Sequence, residues 1–171
     1  MAVGTRRFHR SSTRTATASD LPLLQSAVVD AAFPPSPRPP VDEALRAPHV
    51  ARMIDDWPRP GDAGVIAMRG RSAVGAAWYR LFDPEELRSQ YAEPDVPELA
   101  IAIARHHRGQ GWGGVALDAL VECASTEGRR ALDLQVGLTN RVAIRLYERT
   151  GFERVGDPED DLVWMRKQIQ T

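Results

Sequence analysis

The stretch PELAIAIARHHRGQGWGG, residues 97–114, decides how the rest of the chain is read. From Glu98 to Ala104, Leu99, Ile101 and Ile103 alternate with Ala100, Ala102 and Ala104, the two-residue period of a buried strand with one bulky and one small face. Four glycines then fill six positions, 109–114, and Val115 to Glu127 carries apolar residues at helical spacing. The order is strand, glycine-rich turn, helix. The first turn of such a helix has unpaired N–H groups and the positive end of the summed peptide dipoles, both aimed beyond the helix end. Glycines let the backbone approach an anion closely and supply positive φ where the chain doubles back. With Arg108 at its mouth, the turn reads as a phosphate site.

Arg108-x-x-Gly111-x-Gly113 resembles the Gln/Arg-x-x-Gly-x-Gly/Ala signature with which the GNAT superfamily of acyl-CoA N-acyltransferases holds the coenzyme A pyrophosphate. Residues 140–152, NRVAIRLYERTGF, are similar to the family's second signature: an Asn opening a helix, Leu-Tyr-Glu in its second turn, and Gly-Phe before the next strand. The two signatures cover residues 97–155. The resemblance implies a single α/β (α+β) domain with a mixed, mostly antiparallel central sheet flanked by helices. It also implies a coenzyme site made of Ile101, Ala102, Ile103, Arg108, Gly109, Gln110, Gly111, Trp112, Gly113, Gly114, Asn140 and Tyr147. The implied activity is direct transfer of an acetyl (acyl) group from acetyl-CoA, the co-substrate, to a primary amine of a small molecule or peptide. Tyr147 would protonate or hydrogen-bond the departing thiolate, and Asn140 would contact the pantetheine arm. By spacing alone, Tyr147 reads as a half-buried aromatic between helix and sheet; the resemblance turns that reading toward catalysis.

A length of 171 residues with 43% apolar and 26% charged residues is ordinary for one globular domain. The formal net charge of -1 gives no broad electrostatic footprint for nucleic acid or a membrane surface. Cys123 is the single cysteine, so no intrachain disulfide forms, and its apolar neighbours make it a small buried hydrophobe. No apolar run reaches the ~18 residues of a membrane span and no h-region follows the N-terminal arginines, so the expected location is cytoplasmic.

Residues 1–12, with Arg6, Arg7, His9 and Arg10, read as a mobile basic tail and residues 13–171 as the domain. Thr13–Ala18 suits an edge strand, and Ser19-Asp20 caps a helix with Pro22 in its first turn. Phe33–Pro40 has five prolines in eight residues and predicts a stiff connector. Asp42–Trp57 resumes helical spacing, broken at Pro48. Strands are predicted over 64–68 and 73–81, joined by a hairpin at Gly70, with Gly75 marking a bulge or a close approach. A long acidic linker spans 82–96. After the central stretch come a strand over 130–136, a helix capped by Asn140 and ended by Gly151, a strand from Phe152, and a hairpin partner over 161–168. The expected order is β-α-α-β-β-β-α-β-α-β-β, which is that of the GNAT fold.

Two competing chemistries fail on context. Gly109-x-Gly111-x-x-Gly114 satisfies a dinucleotide pattern, but its candidate ribose acid, Asp133, lies inside a strand, and the motif does not open a β-α-β series. His106 and His107 point apart on an extended chain and have no acidic or cysteine partner at ligand spacing, so no metal is expected. Within the GNAT reading, some members use a Glu where this chain has Gln135, which cannot accept the acceptor's proton. Glu98 is the replacement, on the strand face lined by Ala100, Ala102 and Ala104. Trp57, Trp78, Tyr79 and the acidic linker are candidates for the acceptor side, the linker favouring cationic acceptors. The alternative from another class is an acyl-CoA-binding domain that senses or scaffolds without turnover, which Gln135 permits and Tyr147 opposes. A homodimer built on the proline-rich segment ranks last, because it uses neither the glycines nor Asn140.

Overall fold

The computed structural model describes residues 11–33 and 37–169. Seven strands form one sheet: β1 (Ser11–Thr15), β2 (Ala63–Arg69), β3 (Ser72–Arg80), β4 (Glu98–Ile103), β5 (Ala131–Gly137), β6 (Glu153–Arg154) and β7 (Leu162–Gln168), in spatial order β1-β2-β3-β4-β5-β7-β6. Five helices cover it: α1 (Leu21–Ala32), α2 (Val41–Ala44), α3 (Pro48–Ala51), α4 (Trp112–Thr126) and α5 (Arg141–Arg149). Every strand pairing is antiparallel except β4 with β5. Pro48 splits the second helical stretch as its missing N–H requires, giving α2 and α3.

The alternation in β4 sorts two cores. Leu99 joins the cluster built with α4 and α5, with Ile101 and Ile103 packed against it, whereas Ala100 and Ala102 meet the cluster built with α1, α2 and α3. The β2–β3 hairpin turns tightly at Gly70, whose φ is +62°. Gly75 is a close approach: a Cβ there would stand 2.6 Å from the Ala102 carbonyl oxygen and 2.5 Å from Ile103 Cδ1. A bulge follows next to it, where pairing shifts between Ala67 and Met68.

The feature that makes a site is the parallel pair. β4 and β5 share one register contact, Glu98 with Asp133, supported by a 2.9 Å bond from Asp133 N–H to Pro97 O, and then separate. The edge of β4 beyond Glu98 therefore faces a gap where a ladder would have been.

Several boundaries differ from the expectation. The first strand is Ser11–Thr15, so Ser11 and Ser12 belong to the sheet, while the remainder of the expected tail, residues 1–10, lies outside the described residues. The central helix begins at Trp112, because Gly111 supplies the left-handed cap. Asp20 does not cap α1 forward. Its carboxylate reaches back to the Thr17 N–H at 2.9 Å and takes a two-pronged bond from Arg14 at 2.6 and 2.8 Å. The proline-rich connector is described only in part, Pro34 to Ser36 lying outside, and Arg38 beyond it pairs with Asp30. Cys123 is half-buried, not sealed in the core.

Candidate active site

The gap between β4 and β5 opens into a cleft of about 2040 Å³, larger than the ~300–1,000 Å³ of a drug-sized pocket. On one side lies the start of α4. Gly111 is its N-cap with φ of +88°, Gly109 has φ of +71°, and a Cβ on either would meet nothing within 4 Å, so the mouth of the loop is open. The first intrahelical bond runs from Val115 N–H to Gly111 O at 3.3 Å, which leaves the N–H groups of Trp112, Gly113 and Gly114 unpaired at the positive helix end. Arg108 bonds the Ile103 carbonyl through Nε at 2.8 Å, keeping its two terminal nitrogens for an anion. These groups fit a pyrophosphate.

Not every residue of the expected coenzyme set contributes in the same way. Trp112 is buried in the core with α4's apolar face, so only its backbone serves the loop. Gly113 lines the cleft, but a Cβ on it would lie 2.8 Å from Leu146 Cδ2; its glycine lets α5 approach α4. Gln110 is exposed and bonds the His106 carbonyl at 2.9 Å, bracing the turn. Ile101, Ala102 and Ile103 line the cleft along the unpaired edge of β4.

α5 forms the next wall. Asn140 caps it by accepting from Ala143 N–H at 3.2 Å, which leaves the amide nitrogen of its side chain free to donate. Seven positions on, Tyr147 lines the same cleft, its ring edge-on to Phe152 at 5.8 Å. Burial pushes its phenol up to about 12, so the hydroxyl is protonated at neutral pH.

Across β4 lies the other half. Glu98 is almost buried and its Oε2 receives a 3.0 Å bond from Arg52 Nη1; Oε1 has no partner among the described residues and is not sealed from solvent. Burial raises its carboxyl above the usual range, Arg52 opposes that rise, and Asp133 adds to it. Val28, Ala31, Ala32, Phe33 and Met53 supply an apolar wall. Opposite them, Ser89 and Gln90 hold the two oxygens of Glu159 at 2.6 and 2.7 Å, pinning the linker to the turn before β7.

One sequence expectation is overturned here. Trp57, Trp78 and Tyr79 do not line the cleft. They are core residues, Trp78 bonding the Met53 carbonyl and Tyr79 bonding Glu127 on the far face. The acidic linker reaches the cleft wall through Arg88, Ser89 and Gln90; of its five acids, Glu86 pairs with Arg59, Glu93 with Arg130 and Arg166, and Asp95 with Arg130, whereas Asp83 and Glu85 form no ion pair among the described residues. His49 and His107 also reach the cleft wall. Arg52 and Glu159 were missed, and no local spacing could have pointed to either. Among the described residues no group of three His, Cys, Asp or Glu could hold a metal, and no helix is long and apolar enough to cross a membrane.

The sequence model of the Acetyltransferase (GNAT) family matches residues 26–152. An uncharacterized N-acetyltransferase of Bacillus subtilis (strain 168) is 35% identical over 82 residues, 45% of this chain and 49% of that protein. A mycothiol acetyltransferase of Propionibacterium freudenreichii subsp. shermanii is 29% identical over 106 residues, 61% of this chain and 31% of that protein. The chain thus spans no more than about half the length of these relatives. Among solved structures, the GNAT domain of S. lividans PAT superposes with a TM-score of 0.68 at 20% identity, covering 92% of this chain and 90% of that one. A phosphinothricin acetyltransferase from Sinorhizobium meliloti in complex with acetyl-CoA superposes with a TM-score of 0.64 at 23% identity, covering 93% and 88%. At those identities they show the shared fold. The family match runs from α1 through α5 and so takes in the splayed strands, the glycine turn and both signatures, and on it the chain belongs to the GNAT family of acetyltransferases.

Proposed function

We propose that the protein transfers an acetyl group from acetyl-CoA directly to a primary amine. The observation that carries this reading is the convergence, in one cleft, of an open helix N-terminus, a protonated buried phenol and a carboxylate with one open oxygen. Acetyl-CoA supplies the activated acetyl thioester. The N–H groups opening α4, with Arg108, would hold its pyrophosphate, and Asn140 with the free edge of β4 would hold the arm.

An alkyl ammonium has a pKa near 10.4 and must lose a proton before it can attack. Glu98 Oε1 accepts that proton. The amine lone pair then forms the C–N bond as the C–S bond breaks, Tyr147 donates its hydroxyl proton to the departing sulfur, and the second proton that the nitrogen sheds returns to the tyrosinate directly or through solvent. Partial desolvation makes Glu98 a stronger base than a solvated carboxylate, and Gln135, which also lines the cleft, cannot take the role.

The test is thiol release from acetyl-CoA against a panel of primary amines, beside calorimetric titration of acetyl-CoA. Turnover with at least one amine, lost in Glu98→Gln at neutral pH and recovering as rising pH deprotonates the amine in solution, is the expected result. Binding without thiol release against any amine would favour the sensing alternative, to which Gln135 lends its one point of support.

A further inference from the structure

Among the charged groups that line the cleft, Arg52 belongs to neither signature and has no part in the reaction above, yet it is bonded directly to Glu98. Arg52 follows α3, 46 positions before Glu98 in sequence, and the two side chains are only 15% and 12% exposed. Its guanidinium is fixed from three directions. Nη1 donates to Glu98 Oε2 at 3.0 Å, Nη2 donates to the Glu86 carbonyl at 3.2 Å, and the planar head lies 3.8 Å from the centroid of the buried Phe82 ring. Glu86 is itself clamped by Arg59 through both carboxylate oxygens, so the carbonyl that steadies Arg52 is steady too.

Such a fixture does more for Glu98 than balance its charge. A carboxylate at the end of two rotatable bonds, beside a row of alanines, would otherwise be free to swing across the cleft floor. With Oε2 occupied, the plane of the carboxylate is set and one oxygen alone stays open. The remaining neighbours cannot substitute for Arg52. Arg80, opposite Glu98 on β3, is spent on Asp62 and the Arg52 carbonyl. Asp133, its partner on β5, is a carboxylate tied to Arg166 and Trp164 and repels it.

We propose that Arg52 is a positioning residue for the transfer reaction: it holds Oε2 of Glu98, keeps the buried carboxylate ionised, and presents Oε1 to the acceptor ammonium as the oxygen that takes its proton. The inference rests on the reading of Glu98 as the base. It separates two jobs that a solvated carboxylate would do without help, orientation and charge, and assigns both to a side chain that touches neither substrate.

The test uses two readouts on the full chain. The first is the titration of Glu98 followed by carboxyl ¹³C NMR, the signal assigned by its absence in Glu98→Gln; the second is the pH profile of kcat/KM for the best amine. Arg52→Gln is expected to move the Glu98 midpoint upward and the acid limb with it, lowering kcat/KM by about ten-fold or more at pH values below both midpoints. Acetyl-CoA affinity should not change. Arg52→Lys, which keeps the charge, should restore the midpoint most of the way, and Arg52→Met, whose stem keeps the packing on Phe82, replaces Arg52→Gln should that variant fold poorly. An unmoved midpoint in a folded neutral variant overturns the inference and leaves the base reading intact. An acid limb that survives in Glu98→Gln overturns the base reading itself, and the inference with it.

Discussion

Tyr147 shows how one hydroxyl can be structural and chemical at once. Its ring is part of the core around Phe152, so removing the ring would cost packing, whereas removing the oxygen alone tests chemistry. Because burial pushes the phenol up to about 12, the proton is in place throughout the working pH range. Tyr147→Phe should keep the fold and the acetyl-CoA affinity and lower kcat by ~10²-fold, the usual worth of general acid assistance. Single-turnover thiol release measures it, and a wild-type rate where chemistry is limiting would return Tyr147 to packing alone. Asp20 is the structural counterpart. Its folded carboxyl is held well below the usual range, first by Arg14, so its contribution to stability is fully present above the unfolded value of about 3.9 and is lost progressively as pH falls from there through the lower folded value. Asp20→Asn should therefore destabilise the protein by about 1–3 kcal/mol at neutral pH and by less in acid, which urea unfolding at the two pH values would resolve.

Within single elements, the two glycines of the signature turn out to serve different masters. Gly111 caps α4 in the left-handed region with open space before it, while Gly113 sits inside the helix under Leu146 of α5. Gly111→Val should weaken acetyl-CoA binding and strain the cap by about 1–3 kcal/mol. Gly113→Ala should instead crowd only the end of the Leu146 side chain, which can turn aside, so it should cost little stability and have the smaller direct effect on affinity. Comparing melting temperature with calorimetric affinity for the two variants separates the roles. Equal losses of affinity at equal stability would mean that both glycines face the ligand.

On the scale of the whole molecule, the linker between β3 and β4 acts as a strap from one half of the sheet to the other. Three of its five acids pair with arginines of β5's neighbourhood and of the loop before β2, and its Ser89 and Gln90 reach Glu159, 70 and 69 positions away. Attraction of cationic acceptors by this linker is therefore left to Asp83 and Glu85. Glu86→Gln should change acceptor KM through loss of the Arg59 clamp, which steady-state kinetics with the acceptor varied would check. Glu159→Ala should release the strap and raise acceptor KM several-fold while leaving acetyl-CoA affinity untouched; steady-state kinetics with each substrate varied would check this. An unchanged acceptor KM would mean that the strap does not shape the acceptor side.

What the sequence determined by itself is whatever depends on neighbours within a turn or two: the two-faced β4, the glycine cap, Asn140 on its helix, the tight turn at Gly70, the break at Pro48. Those follow from the periods of helix and strand and from the few residues that tolerate positive φ, so they were legible without coordinates. The residues proposed to hold the coenzyme are set almost wholly by such local features, which is why the sequence alone could propose them. Those proposed for the acceptor side are not. Arg52 meets Glu98 across 46 positions and Arg166 meets Glu93 across 73. Whether Trp78 is core or cleft depends on which face of β3 a helix happens to cover. Long charged side chains find partners wherever the sheet brings them, and the splay of β4 from β5, set by the packing of the whole domain, decides which carboxylate is left with an open oxygen.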